Sequence, residues 1–84
     1  MKLARKHRRT YEAVFSKPTR ANIAWADIES LFAALGGKVK EGRGSRVRVQ
    51  LNEVVAVFHR PHPNPEANKA TVESVRKFLE QASV

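Results

Sequence analysis

The stretch that decides the fold is residues 42–63, GRGSRVRVQLNEVVAVFHRPHP. Over residues 46–51, polar or basic side chains alternate with valine and leucine, which is the period of a strand with one buried face. Asn52 and Glu53 can form a two-residue hairpin loop, because asparagine tolerates the positive φ that such loops need, although glutamate fits less well than glycine. The stretch therefore predicts a β-hairpin.

The two faces of this hairpin differ in polarity, and a register slip of one residue would mix them. The apolar face is expected to hold Val47, Val49, Leu51, Val54, Ala56 and Phe58. The other face is expected to hold Arg46, Arg48, Gln50, Val55, Val57 and His59. In this register Arg46 lies directly opposite His59, so the polar face is the expected working surface.

Composition limits the class of protein. The chain has 84 residues, enough for one small domain, and its lack of cysteine excludes disulfides and thiolate metal sites. Residues 1–20 hold seven Lys or Arg against one acidic residue, and residues 38–48 hold five against one. Such clustering within a net charge of +8 favours a polyanion, most plausibly nucleic acid, as partner. No apolar run follows the basic start or could cross a membrane, so we expect a cytoplasmic protein and no membrane partner.

The N-terminal quarter of the chain is predicted to be an appendage. Residues 1–9 are expected to be a disordered or weakly helical basic tail that adds affinity for phosphates. A short helix should start with Thr10 as its N-cap and end before Lys17, and residues 18–24 should form a linker. We therefore divide the chain into an arm with a short helix, residues 1–24, and a main domain, residues 25–84.

The main domain is predicted to contain two amphipathic helices around the strands. The first has apolar residues at helical spacing, with Trp25 packed in the core rather than stacking on a base, and ends at Gly36-Gly37: Trp25, Ile28, Leu31, Phe32 and Leu35. A short strand over residues 38–41 precedes the hairpin. Asn68 should cap the last helix, whose stripe is Val72, Val75, Phe78, Leu79 and Ala82, with Lys69, Arg76, Lys77 and Glu80 on the solvated side. This order predicts a two-layer α+β fold, α-β-β-β-α as in double-stranded-RNA-binding domains, with an N-terminal helical extension and both helices on the apolar sheet face.

Two kinds of side chain near the hairpin suggest RNA chemistry. The first kind is positioned to bind phosphates, either in the glycine-containing turn or on the strands beside it: Lys38, Lys40, Arg43, Gly44, Ser45, Arg46 and Arg48. The second kind is histidine, because His59 or His62 near an RNA backbone can act as general acid or base while Arg46 stabilises charge on phosphorus. The alternative for each histidine is a structural role or a phosphate contact. No metal or other cofactor is expected, since only Glu66 is available as a loose third ligand.

A family resemblance appears at this point. Leu35-Gly36-Gly37, Gly44-Ser45, the apolar hairpin, the HRPHP run at residues 59–63 and a closing helix ending in FLEQASV resemble the small HicA toxins of bacterial toxin-antitoxin pairs. The likeness covers about residues 25–84, and residues 1–24 resemble the longer N-terminal version of some members. The resemblance implies a ribosome-independent endonuclease that cleaves mRNA and is silenced by a HicB-type antitoxin.

One position departs from the family pattern. Gly44 and Ser45 match the Gly-Ser of a Gly-Ser-His motif, but the resemblance places the family's catalytic histidine at the position of Arg46. Arginine cannot donate or accept a proton at neutral pH, so His59 on the neighbouring strand is the expected substitute. The alternative is a module that binds RNA or the antitoxin without cutting.

Overall fold

A computed structural model describes residues 3–61 and 64–84. Its elements are α1 (Arg5–Val14), β1 (Ile23–Ala24), α2 (Trp25–Ala34), β2 (Lys38–Glu41), β3 (Arg46–Leu51), β4 (Val54–His59), β5 (Glu66–Ala67) and α3 (Lys69–Gln81). The strands β2, β3 and β4 form an antiparallel sheet in that order, while β1 pairs with β5. This arrangement confirms the predicted α+β fold of helix, three strands and helix. No helix in the described ranges has the length and apolar composition needed to cross a membrane.

The central hairpin has the predicted register throughout, from Leu51 opposite Val54 to Arg46 opposite His59. Its loop residues take left-handed conformations, with φ of 48° at Asn52 and 69° at Glu53. These angles suit a two-residue hairpin turn, whose twist matches that of the flanking strands. The apolar and polar faces of β3 and β4 are therefore separated as the sequence predicts.

The core lies between the sheet and the two helices α2 and α3. It is centred on four aromatic rings: Phe32 lies 5.6 Å from Phe78 and 5.7 Å from Phe58 between ring centroids, and Trp25 lies 5.7 Å from Phe58. Trp25 is buried, as predicted. Because Phe58 directly precedes His59 in β4, the packing of this cluster holds the strand that carries the histidine.

Helices α2 and α3 begin where predicted. A glycine after α2 allows β2 to lie close to that helix. Asn68 caps α3, since its Oδ1 accepts a hydrogen bond from the Thr71 amide at 2.9 Å. A Cβ at Gly37 would lie 2.9 Å from the Phe32 carbonyl oxygen, closer than side chains tolerate. Glycine at this position therefore allows the chain to leave α2 and enter β2 directly.

The N-terminal segment differs from its predicted structure in two respects. The helix α1 begins at Arg5, so residues 5–9 are helical, and Thr10 is a buried residue inside the helix rather than its N-cap. The Thr10 hydroxyl donates to the Lys6 carbonyl at 3.1 Å, a bond that satisfies a buried polar group within the helix. The physical reason for the longer helix is tertiary: Val14 is fully buried, and α1 packs against α2 and α3.

Arg76 of α3 was also misplaced on the solvated side. It is half-buried, and its guanidinium donates to the Val14 carbonyl at 3.0 Å and to the Thr19 hydroxyl at 2.9 Å. The bond to Val14 satisfies a carbonyl at the C-terminal end of α1, where helices leave acceptors without partners. Arg76 therefore fastens the N-terminal segment to α3.

The expected linker contains a short strand. Ile23 pairs with Ala67 and Ala24 pairs with Glu66, and the Trp25 amide donates to the Pro65 carbonyl at 2.9 Å. Both Ile23 and Ala67 are buried. We call this β1–β5 pair the clasp, because it joins the residues before α2 to the residues before α3.

Candidate nucleic-acid interface

The sheet turns one face away from α2 and α3, and we call it the open face. Across the strands, Lys40 pairs with Arg48, which pairs with Val57, and the next row is Lys38, Gln50 and Val55. All eight outward side chains are exposed: Lys38, Lys40, Arg46, Arg48, Gln50, Val55, Val57 and His59. The open face is therefore basic along β2 and β3, and apolar with one histidine along β4.

Arg46 and His59 form the last row of the open face. The Arg60 amide donates to the Ser45 carbonyl at 2.8 Å, so residues 45 and 60 form a hydrogen-bonded pair at the strand ends. Hydrogen-bonded and non-hydrogen-bonded pairs alternate in antiparallel ladders, which makes Arg46 and His59 a non-hydrogen-bonded pair. Side chains in such pairs are the closer ones, with Cβ atoms about 4.5–5.5 Å apart. An imidazole and a guanidinium can therefore reach the same phosphodiester group.

The glycine-containing turn lies at the same end of the sheet. The Arg46 amide donates to the Arg43 carbonyl at 3.2 Å, and Gly44 has a φ of 63°, a conformation that glycine adopts without strain. Arg43, Gly44 and Ser45 are all exposed beside Arg46. The fold thus brings the predicted phosphate-binding turn next to His59.

The basic strand residues that were predicted to bind RNA phosphates also lie close together. Lys38, Lys40 and Arg48 line one shallow depression of about 260 Å³ on the open face, together with Gln50. Three cations around one depression produce a local positive potential suited to phosphates. A larger concavity of about 630 Å³ near α1 and β1 contains carboxylates as well as arginines, and this mixture suits a polyanion less well.

His59 has a second neighbourhood that the sequence did not indicate. It lines a groove of about 410 Å³ between β4 and α3, whose polar residues include Ser74 and Lys77. Lys77 was assigned only to the solvated side of α3, because helical periodicity says nothing about the strand beside it. Lys77 adds a cation to the groove that His59 lines.

His62, the second predicted proton-transfer residue, lies outside the described residues, so its role stays a prediction. In the described ranges, the His, Asp and Glu side chains do not cluster in groups of three or more that could hold a metal ion.

Arg60 is the residue at this end of the sheet that the sequence analysis missed. Its guanidinium binds Glu29 of α2 through Nε at 2.8 Å and Nη2 at 3.2 Å, and Glu41 of β2 through Nη1 at 2.7 Å. The Trp25 indole also donates to Glu29. A usable signal existed: in the hairpin register, position 60 falls on the same face as Phe58, where an arginine needs a carboxylate partner. Arg60 therefore ties α2 and β2 to the strand that carries His59.

This network shifts two ionisation equilibria. The hydrogen bond from Arg60 lowers the pKa of the Glu29 carboxyl, against the opposing effect of its partial burial. Hydrogen bonds to Glu29 and then Glu41 raise the pKa of the Arg60 guanidinium. Because the folded state lowers the pKa of Glu29, this carboxylate stabilises the fold above its unfolded pKa, about 4.3, and the contribution disappears as pH falls through the folded value.

Replacing Glu29 by Gln should lower the midpoint of urea unfolding at pH 7, because the charge on the partner of Arg60 is lost. The difference between the variant and the wild type should shrink as pH falls below about 4, where the wild-type carboxyl also becomes protonated. Urea titrations at pH 7 and at a pH below about 4 measure the difference in unfolding midpoint. The exposed Glu80→Gln variant is the control, and a gap that stays constant with pH would contradict the assignment.

Comparison with known proteins gives a match to a protein family. The family model described as "HicA toxin of bacterial toxin-antitoxin" matches residues 25–84, which covers most of the chain and begins at the first residue of α2. Searches of curated proteins and of solved structures each gave no significant match.

Proposed function

Because the chain belongs to the HicA family, the toxins of bacterial toxin-antitoxin pairs, we propose that it is a ribosome-independent endonuclease that cleaves mRNA. The observation that carries the proposal is the direct opposition of His59 and Arg46 at one end of an exposed basic sheet face. An imidazole supplies proton transfer near pH 7, and arginine supplies fixed positive charge. Proton transfer and charge stabilisation are the two contributions that metal-free cleavage of a phosphodiester draws on.

The proposed reaction uses the 2′-hydroxyl of the substrate as nucleophile. His59 accepts the proton of that hydroxyl, the 2′ oxygen attacks the adjacent phosphorus, and the bond from phosphorus to the 5′ oxygen breaks. The leaving 5′ oxygen takes a proton from water, and the hydroxide formed takes the proton held by the His59 imidazolium, which restores the neutral imidazole. Arg46 stabilises the negative charge that builds up on the phosphoryl oxygens. The products are a 2′,3′-cyclic phosphate and a 5′-hydroxyl end.

Analysis of the product ends tests this reaction. Purified protein should cut a synthetic RNA to fragments with cyclic phosphate and 5′-hydroxyl ends, in buffer containing a metal chelator. The same RNA with 2′-deoxy sugars at the cleaved positions should bind but stay intact, because it has no 2′ nucleophile. Equal cleavage of both substrates would exclude the proposed mechanism.

The alternative function is RNA binding without cleavage. It is favoured by Arg46 itself, since arginine takes the place of the catalytic histidine expected in this family. A wild-type protein that binds RNA, leaves it intact and does not arrest growth on expression would support this alternative over the nuclease.

We further propose that a HicB-type antitoxin neutralises the protein by covering the open face. A chain with net charge +8 and an exposed basic sheet offers a complementary surface to an acidic inhibitor, which would exclude RNA by occupying the same side chains. A cytoplasmic location is part of this proposal, because mRNA and such an inhibitor would meet the protein there. A structure of the complex in which Arg46 and His59 remain exposed would rule out direct blocking.

Removing two open-face cations should weaken the salt dependence of RNA binding. For the Lys40→Gln, Arg48→Gln double variant, the slope of log affinity against log salt should fall in magnitude by about 1.4, since each single-strand phosphate contact contributes about 0.7. Anisotropy titrations at several salt concentrations measure the slope. Lys17→Gln, Lys69→Gln is a control with the same loss of charge, and an equal change in its slope would contradict a localised footprint.

A further inference from the structure

The helix α1 carries a second concentration of positive charge, in the segment that precedes the family match. Four of its first five side chains are cations exposed to solvent: Arg5, Lys6, Arg8 and Arg9. None of them forms an ion pair with a carboxylate in the part of the chain that the structure describes. Arg9 borders the concavity of mixed charge near β1, whereas Arg5, Lys6 and Arg8 do not line it, so their charge is available to an external anion.

The position of these cations is unfavourable for the helix itself. A helix favours acidic residues in its first turns, yet α1 has none in its first turn, and its N-cap, Ala4, accepts no side-chain hydrogen bond. Arg5 also lies three and four residues before Arg8 and Arg9, the spacing at which like charges on a helix repel each other. Charges that disfavour the local structure are expected where they serve a function.

Tertiary contacts anchor the C-terminal end of α1 and the side of the helix that faces away from these cations. Val14 is fully buried, the Tyr11 hydroxyl donates to the Val84 carbonyl at 3.1 Å, and Arg76 donates to the Val14 carbonyl. The apolar side of the helix is thus already used in the core, so it cannot insert into a lipid surface as free basic amphipathic helices do. This favours a phosphate polymer over a membrane as the ligand.

The basic side of α1 is also separate from the open face. The helix packs against α2, α3 and β1, whereas the open face lies on the other side of the sheet. The two basic surfaces can therefore contact different parts of one long polynucleotide. The chemistry of the side chains also suits this ligand, because three of the four cations are arginines, whose planar guanidinium groups bind phosphates in a bidentate manner.

We propose that the basic side of α1 is a second RNA-binding surface, which holds the phosphate backbone of a long substrate away from the site of cleavage. This inference rests on the proposed function in taking RNA as the polyanion. It assigns substrate capture to the N-terminal segment. Capture at a separate surface lowers KM for long RNA and leaves kcat unchanged, because α1 lies apart from the open face where cleavage is proposed.

The test is the double variant Arg5→Glu, Arg8→Glu, examined with a long 2′-O-methyl RNA that cannot be cleaved. At low salt, its Kd should rise by about 10-fold or more, and the salt slope should fall in magnitude by about 1.4. Its melting temperature should equal or exceed that of the wild type, because glutamates suit the first turns of a helix. A merely structural role for the arginines would lower the melting temperature instead.

The matched control is Lys17→Glu, Lys69→Glu, which changes the net charge equally at exposed positions outside both basic surfaces. The inference is overturned if the α1 variant and the control lose affinity equally, or if the wild type binds anionic vesicles but not RNA. If the double glutamate variant does not fold, RNA affinity is measured for the Arg5→Gln, Arg8→Gln variant instead, and the same comparison with the control applies. Wild-type protein that binds RNA through α1 but cleaves none would refute the nuclease proposal and support the second surface.

Discussion

Replacing His59 by Ala should lower the rate of RNA cleavage by about 10²- to 10⁴-fold, the usual contribution of a general acid or base. Folding and RNA affinity should stay nearly unchanged, because the imidazole is exposed and lies outside the core. Arg46→Ala should reduce both cleavage and binding, since that side chain is assigned to charge stabilisation and phosphate positioning. Single-turnover cleavage, anisotropy and thermal melts separate these effects.

Two further variants sharpen the test. His7 lies on α1, away from the open face, so His7→Ala should cleave at the wild-type rate. Because positions 46 and 59 are directly opposed, introducing Arg46→His into the His59→Ala protein should restore part of the activity from the neighbouring strand. His62→Ala should have a milder effect than His59→Ala. Full activity in a folded His59→Ala protein would move the assignment to His62 or to no catalytic histidine.

Replacing Phe32 by Ala should destabilise the domain by about 3–5 kcal/mol, the usual cost of emptying a fully buried aromatic site. The ring is completely buried and lies within 5.7 Å, between centroids, of both Phe58 and Phe78. A loss of this size is a large fraction of the stability of a small domain. Urea unfolding at neutral pH measures the change.

The control for this prediction is Val57→Thr, which keeps a β-branched side chain at an exposed strand position. Val57 is 57% exposed, so the free energy of unfolding should change by less than about 0.5 kcal/mol. Equal losses in the two variants would show that the aromatic cluster is not the main source of stability.

The elements that could be predicted from the sequence are those whose signals are local. The hairpin register follows from alternation along β3 and β4 and from the loop residue Asn52, all within a few positions of each other. The opposition of Arg46 and His59 follows from the same register. The apolar stripes of α2 and α3 and the cap at Asn68 are local signals as well.

The features that were missed depend on residues far apart in the chain. Arg76 binds the carbonyl of Val14, 62 positions away, and this contact helps to hold α1 as a helix that its charges alone do not favour. Arg60 binds Glu29, 31 positions away. Neither distance leaves a periodic pattern, so the hairpin register can indicate that Arg60 needs a carboxylate partner, but only the assembled fold identifies Glu29.

The clasp also has a consequence for the order in which the chain acquires its structure. It joins residues 23–24 to residues 66–67, so everything from α2 to β4 forms one closed loop. The hairpin inside that loop needs only short-range closure, whereas the clasp must first overcome the larger entropy cost of bringing distant segments together. We therefore expect the strands that present Arg46 and His59 to pair early in folding, and the contacts between α1 and α3 to form only after the loop has closed.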